Sequence, residues 1–90
     1  MALIRKVRGY EPEIGKDTWL AENATILGNV KIGENCSIWY NAVLRGDVNA
    51  IRIGNNTNIQ DGVVIHTLYD GSKNPSQTHI GDFVSVGHNA

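Results

Sequence analysis

Apolar residues recur at every sixth position along most of this chain. The series consists of Ile14, Leu20, Ile26, Ile32, Ile38 and Leu44, then Ile53, Ile59 and Ile65 after a three-residue insertion, and then Ile80 and Val86 after a longer one. Residues six apart lie about 240° apart around an α-helix, so this period does not give a helix one apolar face. We call the members of the series rung residues, and they predict short strands stacked in register.

The positions between the rungs predict a turn in every hexad. A continuous strand would bury the second residue after each rung, but that position is mostly polar or glycine. The fourth residue is small or β-branched instead: Thr18, Ala24, Val30, Cys36, Ala42, Val48, Thr57, Val63, Val84 and Ala90. The third residue is Asp17, Asn23, Asn29, Asn35, Asn41, Asp47, Asn56, Gly62 or Asn89, with Phe83 as the departure. Because Asn, Asp and Gly favour tight or left-handed turns, each hexad predicts a three-residue strand with two inward side chains, followed by a bend.

This pattern predicts an all-β fold, a parallel β-solenoid around a narrow aliphatic core. We expect one domain over residues 1–90, with a lead-in or cap at 1–13, regular coils over 14–65, a projecting loop at 66–79 and a further coil over 80–90. The last hexad is one residue short and has no polar cap, which leaves an exposed edge. We therefore expect a fragment of a longer protein or a processed chain.

Composition narrows the class of partner. A domain this short buries only about 60% of the surface of its unfolded chain, so self-association is expected. The net charge of −1 and the absence of a basic stripe disfavour nucleic acid and membrane surfaces. No apolar run approaches the roughly 20 residues of a membrane span, and a single cysteine forms no internal disulfide. We expect a soluble, cytoplasmic protein in which Cys36 is a buried structural thiol and the large side chains of Trp19, Trp39 and Tyr40 point outward.

Two segments point to a known family. Residues 41–47 are Asn-Ala-Val-Leu-Arg-Gly-Asp, and residues 58–61 are Asn-Ile-Gln-Asp, with His66 following. Together with the hexapeptide repeat, these segments resemble the gamma-class carbonic anhydrase family, including its ferripyochelin-binding-protein-like bacterial members, from about Tyr10 to Ala90. The resemblance implies a left-handed parallel β-helix with three hexads per coil. It also implies a homotrimer that reversibly hydrates carbon dioxide with a zinc-bound hydroxide at the subunit interface.

The same resemblance implies the metal ligands. Members of the family bind the metal with three histidines, two from one subunit and one from its neighbour, and His66 and His88 match the first two in sequence order. The third would follow Ala90. Zinc is expected, and iron or cobalt also suits imidazole ligands. A site with only two histidines should bind metal more weakly and with looser geometry, so the 90-residue chain is expected to be inactive or weakly active.

Further roles come with the resemblance. Gln60 is expected to hydrogen-bond the hydroxide or bicarbonate and to orient it toward carbon dioxide. Arg45 and Asp61 are expected beside it in the catalytic site. Together with Asp47 they are also expected to form an ion-pair network across the trimer contact, where the bidentate geometry of a guanidinium fixes register. His79, just before a rung, is expected to have no metal role.

One departure keeps other functions open. The archaeal prototype of the family carries a glutamate proton shuttle beside the position of Asp47, where this chain has Val48 and Asn49. A hexapeptide acyltransferase would share the solenoid and use a histidine as the general base on a hydroxyl or amine. A non-catalytic metal-binding or assembly subunit would keep the interface and lose turnover. The polar residues also have structural interpretations, as solvated histidines, a surface ion pair or corner turns.

Overall fold

A computed structural model of the chain describes residues 1–68 and 77–90, and all regular structure in these residues is strand. The strands are β1 (Leu3–Arg5), β2 (Glu13–Ile14), β3 (Trp19–Leu20), β4 (Thr25–Ile32), β5 (Ser37–Ile38), β6 (Val43–Ile53), β7 (Asn58–Ile59), β8 (Val64–His66), β9 (Thr78–Ile80) and β10 (Ser85–Val86). They pair with one another in parallel. No helix long and apolar enough to cross a membrane is found in the described part of the chain.

The strand register arranges the rungs in three stacks. Face A carries Ile4, Ile26, Leu44 and Ile65, face B carries Ile14, Ile32, Ile53 and Ile80, and face C carries Leu20, Ile38, Ile59 and Val86. Each rung therefore lies beside the third rung after it, and three hexads complete one coil. The predicted fold class is confirmed: the chain is a left-handed parallel β-helix. Strand β1 extends face A, so the lead-in segment contributes to the first coil.

The core is a thin column of aliphatic side chains inside the prism. The largest fully buried side chains are Ile26, Ile32, Ile38, Leu44, Ile51, Ile59, Val30, Val63 and Thr57. Aromatic side chains lie outside it, as predicted: Trp19 is 44% exposed, Trp39 38% and Tyr40 43%. The ring centroids of Trp19 and Trp39 lie 4.8 Å apart, so the aromatic rings cluster on the outer surface of face C.

One inward column ties each coil to the next through hydrogen bonds. The pairs are Thr18 Oγ1 to Gly33 O at 2.7 Å, Cys36 Sγ to Gly54 O at 3.0 Å, and Thr57 Oγ1 to Gly81 O at 2.7 Å. Cys36 is only 3% exposed, which confirms the buried structural thiol. The thiol therefore acts as a weak donor in a column where hydroxyls otherwise satisfy buried carbonyls.

The prediction that Val48 points into the core is wrong, and the three-residue insertion is the cause. Val48 is 37% exposed, whereas Ile51 is fully buried and takes the place opposite Val30 in the ladder. Residues 47–50 stand opposite the single residue Asn29, and this bulge pushes Val48 out of the core. The insertion bends the corner between faces A and B and keeps the rungs on either side of it in register.

The corners differ in how they turn. At the corner between faces B and C, the third residue after each rung has a positive φ, from 56° to 61°, at Asp17, Asn35, Asn56 and Phe83. At the corner between faces C and A, φ is also positive at the third residue after three of the rungs, namely Asn41, Gly62 and Asn89. At the corner between A and B, β4 and β6 run through the bend, and Gly28 carries the positive φ of 74° in place of the third residue, Asn29. The predicted turn is thus shifted at that corner.

The long insertion lies at the same corner between A and B. Strand β8 continues through His66 and β9 starts at Thr78, so the strands extend into the predicted loop of 66–79 at both ends. Residues 69–76 of that loop lie outside the described residues. The two insertions touch, because Asn49 Nδ2 donates a hydrogen bond to the carbonyl of Leu68 at 3.3 Å.

Phe83 is a strained residue whose replacement should stabilise the fold. Its φ is 56° and its side chain is 81% exposed, at a corner position where the preceding coils have Asn or Asp. A left-handed backbone is unfavourable for a bulky residue and is tolerated by Asn, so Phe83→Asn should raise the free energy of unfolding by about 1 kcal/mol. Urea denaturation checks this. Phe83→Ala is the matched control, and an equal gain there would assign the effect to loss of an exposed ring.

Candidate functional site

His66 lies at the edge of face A that adjoins face B. It is the last residue of β8, is exposed, and stands beside Arg45 in the parallel ladder. Its Nδ1 lies 3.4 Å from the carbonyl oxygen of Thr67. Donation from Nδ1 to a carbonyl leaves the lone pair of Nε2 available, as in imidazoles that bind metals.

His88 lies at the opposite edge of face A, in the corner that joins face C to face A. The N–H of Asn89 donates to the carbonyl of Asp61 at 3.0 Å, so His88 sits one coil beyond Asp61 in the stack. The side chain of His88 is exposed and borders an open cavity of about 240 Å³. The other residues lining this cavity are Trp39, Asn58, Gln60 and Asp61.

Gln60 is held in place on the floor of this cavity. Its backbone N–H donates to the carbonyl of Val86 at 3.0 Å, and its side chain is half-buried. Its Nε2 donates to Asn58 Oδ1 at 3.3 Å. This bond uses one of the two amide N–H groups, which leaves the amide oxygen of Gln60 to accept, and its second N–H to donate, a hydrogen bond to a molecule in the cavity.

Arg45 and Asp47 form an ion pair within the chain. Arg45 Nη1 lies 3.6 Å from Asp47 Oδ2, and the two side chains are 45% and 33% exposed. The other ion pair among the described residues joins Lys31 to Glu13. Asp61 takes part in neither pair, so one chain forms only the Arg45–Asp47 half of the predicted network.

The sequence and the fold both match known proteins. Residues 11–46 match the family described as bacterial transferase hexapeptide (six repeats). The chain is 52% identical over 77 residues to a probable carbonic anhydrase of Methanocaldococcus jannaschii, which covers 86% of this chain and 45% of that protein. It is 49% identical over 82 residues to the mitochondrial gamma carbonic anhydrase 2 of Arabidopsis thaliana, covering 88% of this chain and 29% of that protein.

Among solved structures, a hexapeptide transferase family protein from Anaplasma phagocytophilum superposes with a TM-score of 0.86 at 44% identity, covering 97% of this chain and 48% of that one. The chain thus spans less than half the length of these relatives. It is a hexapeptide-repeat protein homologous to the gamma carbonic anhydrases. This finding confirms the resemblance inferred from residues 41–47, 58–61 and His66.

The described residues of this gamma carbonic anhydrase homologue do not bring a full set of metal ligands together. No group of three or more His, Cys, Asp or Glu side chains that could hold a metal occurs in residues 1–68 and 77–90. Asp61, which precedes His88 in the stack, is five residues before His66 in the chain, and the corner at Gly62 lies between them. Within one chain, the two exposed imidazoles thus lie at opposite edges of face A.

Two residues that line the cavity were not assigned to it by sequence. Trp39 was expected only to point outward, and Asn58 had no expected role. Trp39 follows the rung Ile38 and Asn58 precedes the rung Ile59, so both project from face C next to Gln60. The strand register would have identified them, since outward residues beside neighbouring rungs must share a surface.

Proposed function

We propose that this chain is the β-helix part of a gamma-carbonic-anhydrase-type metalloprotein that reversibly hydrates carbon dioxide at the contact between copies of a homotrimer. The observation that carries the proposal is the position of His66 and His88. Both are exposed, on successive coils at opposite edges of face A, where neighbouring copies can each contribute one imidazole. The homology to gamma carbonic anhydrases supports the same reaction.

In the proposed site, His66 of one copy and His88 of the next hold a divalent metal, with zinc as the expected ion and iron or cobalt as alternatives. The metal, when bound, lowers the pKa of a coordinated water to about 7 and so supplies hydroxide at neutral pH. His66 is prepared for this role by the contact of its Nδ1 with the Thr67 carbonyl. The backbone of His88 is held in the corner one coil beyond Asp61 by the hydrogen bond from the N–H of Asn89 to the Asp61 carbonyl.

Gln60 orients the reacting oxygen in the proposed mechanism. Its amide oxygen accepts a hydrogen bond from hydroxide or water in the cavity and thereby directs an oxygen lone pair toward carbon dioxide. Arg45, held by Asp47, extends its remaining N–H groups toward the neighbouring copy, and Asp61 of that copy accepts them. This pairing completes the ion-pair network that a single chain forms only in part.

A second candidate function is acyl transfer. It is favoured by the transferase description of the matching hexapeptide family and of the Anaplasma phagocytophilum structure. In this case His88, which borders the cavity, acts as the general base on a hydroxyl or amine acceptor. Saturable transfer from an acyl-coenzyme A without any metal requirement would support it over carbon dioxide hydration.

Metal content and native mass, measured together on the purified 90-residue chain, test the proposal. Equilibrium dialysis against excess zinc, elemental analysis and light scattering should show a trimer that takes up to one zinc per subunit, with the weak affinity expected of two histidines. A chain that takes up no zinc under these conditions would overturn the shared site. Stopped-flow hydration of carbon dioxide then separates the enzyme from a non-catalytic subunit, because full zinc occupancy without hydration above the uncatalysed rate would indicate binding alone.

A further inference from the structure

The strand ladder beside β6 is interrupted directly after His66. Arg45 of β6 pairs with His66, the last residue of β8. The next pairing on the same side of β6 joins Ile51 to Thr78 of β9. Within the described part of the chain, residues 46–50 of β6 therefore have no strand partner on this side. Contacts other than the ladder must hold the chain where it leaves His66 and enters the long insertion.

The exit segment, which we define as His66 and the two residues after it, has a side chain on each of its backbone carbonyls. Thr78 Oγ1 donates a hydrogen bond to the carbonyl of His66 at 3.4 Å. The Nδ1 of His66 lies 3.4 Å from the carbonyl oxygen of Thr67. Asn49 Nδ2 donates to the carbonyl of Leu68 at 3.3 Å. These contacts take the place of the interrupted ladder and fix the direction of the exit segment.

Asn49 is itself fixed at both ends of its side-chain amide. Its Oδ1 accepts the N–H of Ala50 at 3.0 Å, and its side chain is half-buried. Because only the oxygen of the amide can accept from that N–H, the amide nitrogen must point toward the Leu68 carbonyl, which can only accept. Asn49 lies in the bulge opposite Asn29, so a residue of the first insertion holds the start of the second.

The exit segment determines which nitrogen of the His66 imidazole carries the proton. A carbonyl oxygen can only accept, so the contact with the Thr67 carbonyl places the proton on Nδ1 and leaves the lone pair on Nε2. The Thr67 carbonyl lies between the two carbonyls that Thr78 and Asn49 hold. Release of either one would let the peptide after Thr67 turn away from the ring, and the imidazole would lose this hydrogen bond.

The hydroxyl of Thr67 does not orient this carbonyl. The residue is only 7% exposed, and its Oγ1 is a buried polar atom without a hydrogen-bond partner among the described residues. A hydroxyl that makes no hydrogen bond does not fix the peptide of its own residue. The direction of the Thr67 carbonyl therefore depends on the bonds from Asn49 and Thr78.

We infer that Asn49 is a positioning residue that, through the exit segment, keeps the His66 imidazole in the tautomer and orientation in which Nε2 is free to bind a metal. Thr78 holds the same segment from β9. The inference rests on the proposed function for the metal itself, whereas the tautomer of the imidazole is a property of the metal-free chain. Partners that orient metal-binding histidines typically change metal affinity by about 10-fold to 100-fold.

The metal-free chain provides the first test. Asn49→Ser adds no charge, and its shorter hydroxyl can still accept the N–H of the next residue in a local turn but cannot reach the Leu68 carbonyl. Long-range hydrogen–nitrogen correlation spectra at about pH 8.5, above the range in which imidazoles titrate, report the tautomer of each histidine. We expect His66 to carry its proton mainly on Nδ1 in the natural chain and to populate both tautomers in Asn49→Ser. The tautomers of His88 should not change.

Zinc affinity provides the second test. Asn49→Ser should weaken zinc binding by about tenfold in equilibrium dialysis, the lower end of the range for partners of metal ligands. Thr78→Val, which replaces the hydroxyl with a methyl group, should also weaken it. Asn23→Ser is the matched control, because Asn23 Nδ2 donates to Asn41 Oδ1 at 2.7 Å at the corner between faces C and A and holds no part of the exit segment. It should lower the urea midpoint as Asn49→Ser does and leave the His66 tautomer and the zinc affinity unchanged.

The outcomes separate this inference from the proposed function. A natural chain in which His66 does not favour the Nδ1 proton, an unchanged tautomer in Asn49→Ser, or an equal loss of zinc affinity in Asn23→Ser would overturn the positioning role. If the tautomer responds as expected but the natural chain binds no zinc, the positioning role stands and the metal site fails. If the natural chain and Asn49→Ser bind zinc equally well, the metal site stands and the positioning role fails.

Discussion

Equimolar mixing of His66→Ala and His88→Ala chains should restore zinc binding that neither variant shows alone. Each variant lacks one of the two imidazoles at every interface of its own trimer. Because loss of an outer-shell partner already lowers metal affinity by about 10-fold to 100-fold, loss of a ligand should lower it by at least that much. Both side chains are exposed, so neither substitution is expected to unfold the chain.

The restored fraction follows from how the subunits combine. In randomly mixed trimers, an interface is intact only when one subunit supplies His66 and the next supplies His88, which holds for about a quarter of interfaces in a heterologous ring. Refolding the two variants together, followed by equilibrium dialysis against zinc, measures this fraction. If the two histidines bound metal within one chain, mixing would restore none. His79→Ala, which changes the third histidine of the chain on face B, is the control and should bind zinc normally.

The hexad period predicts the fold because each of its positions has one physical task. Rung residues such as Ile38 and Leu44 fill the core, and Asn35 and Asn56 adopt the left-handed backbone of a corner. The period did not predict that the side chain of Val48 lies outside the core. A three-residue insertion between Leu44 and Ile53 can bulge at several points, and the period does not determine which residue returns to the core.

The sequence predicts the candidate site as a set of residues but not as an arrangement. His66, His88 and Gln60 follow from motifs, whereas their relative positions depend on how many hexads complete a coil and on where the insertions fall. Once the ladder sets three hexads per coil, His88 stacks beyond Asp61 and lies across face A from His66. The ion pair of Arg45 with Asp47 can be predicted without the number of hexads per coil, because residues two apart on a strand project from the same side.

Gly54→Ala should be among the more damaging single-methyl changes in the fold. Gly54 belongs to a column in which the residue after each rung of face B is glycine, and the coils approach closely there. A Cβ at Gly54 would lie 2.7 Å from the carbonyl carbon of Gly81 and would also meet Asp82. Besides the Asp82 carboxylate, the atoms it would meet are backbone atoms of Gly81 and Asp82. The ladder holds this backbone in place, because the N–H of Gly54 donates to the carbonyl of Ile80 at 2.8 Å. The added methyl must therefore separate two coils.

We expect Gly54→Ala to lower the free energy of unfolding by roughly 3 kcal/mol, the upper part of the range for overpacking, because the clash is with backbone. Gly81→Ala is the matched control in the same column. A Cβ there meets nothing within 4 Å in this structure, so its effect should stay within about 0.5 kcal/mol. Urea unfolding followed by circular dichroism compares the two. Equal losses would show that the methyl acts through the conformational preference of alanine at this corner, whereas a loss confined to Gly54→Ala would show that the glycine column exists to let the coils stack.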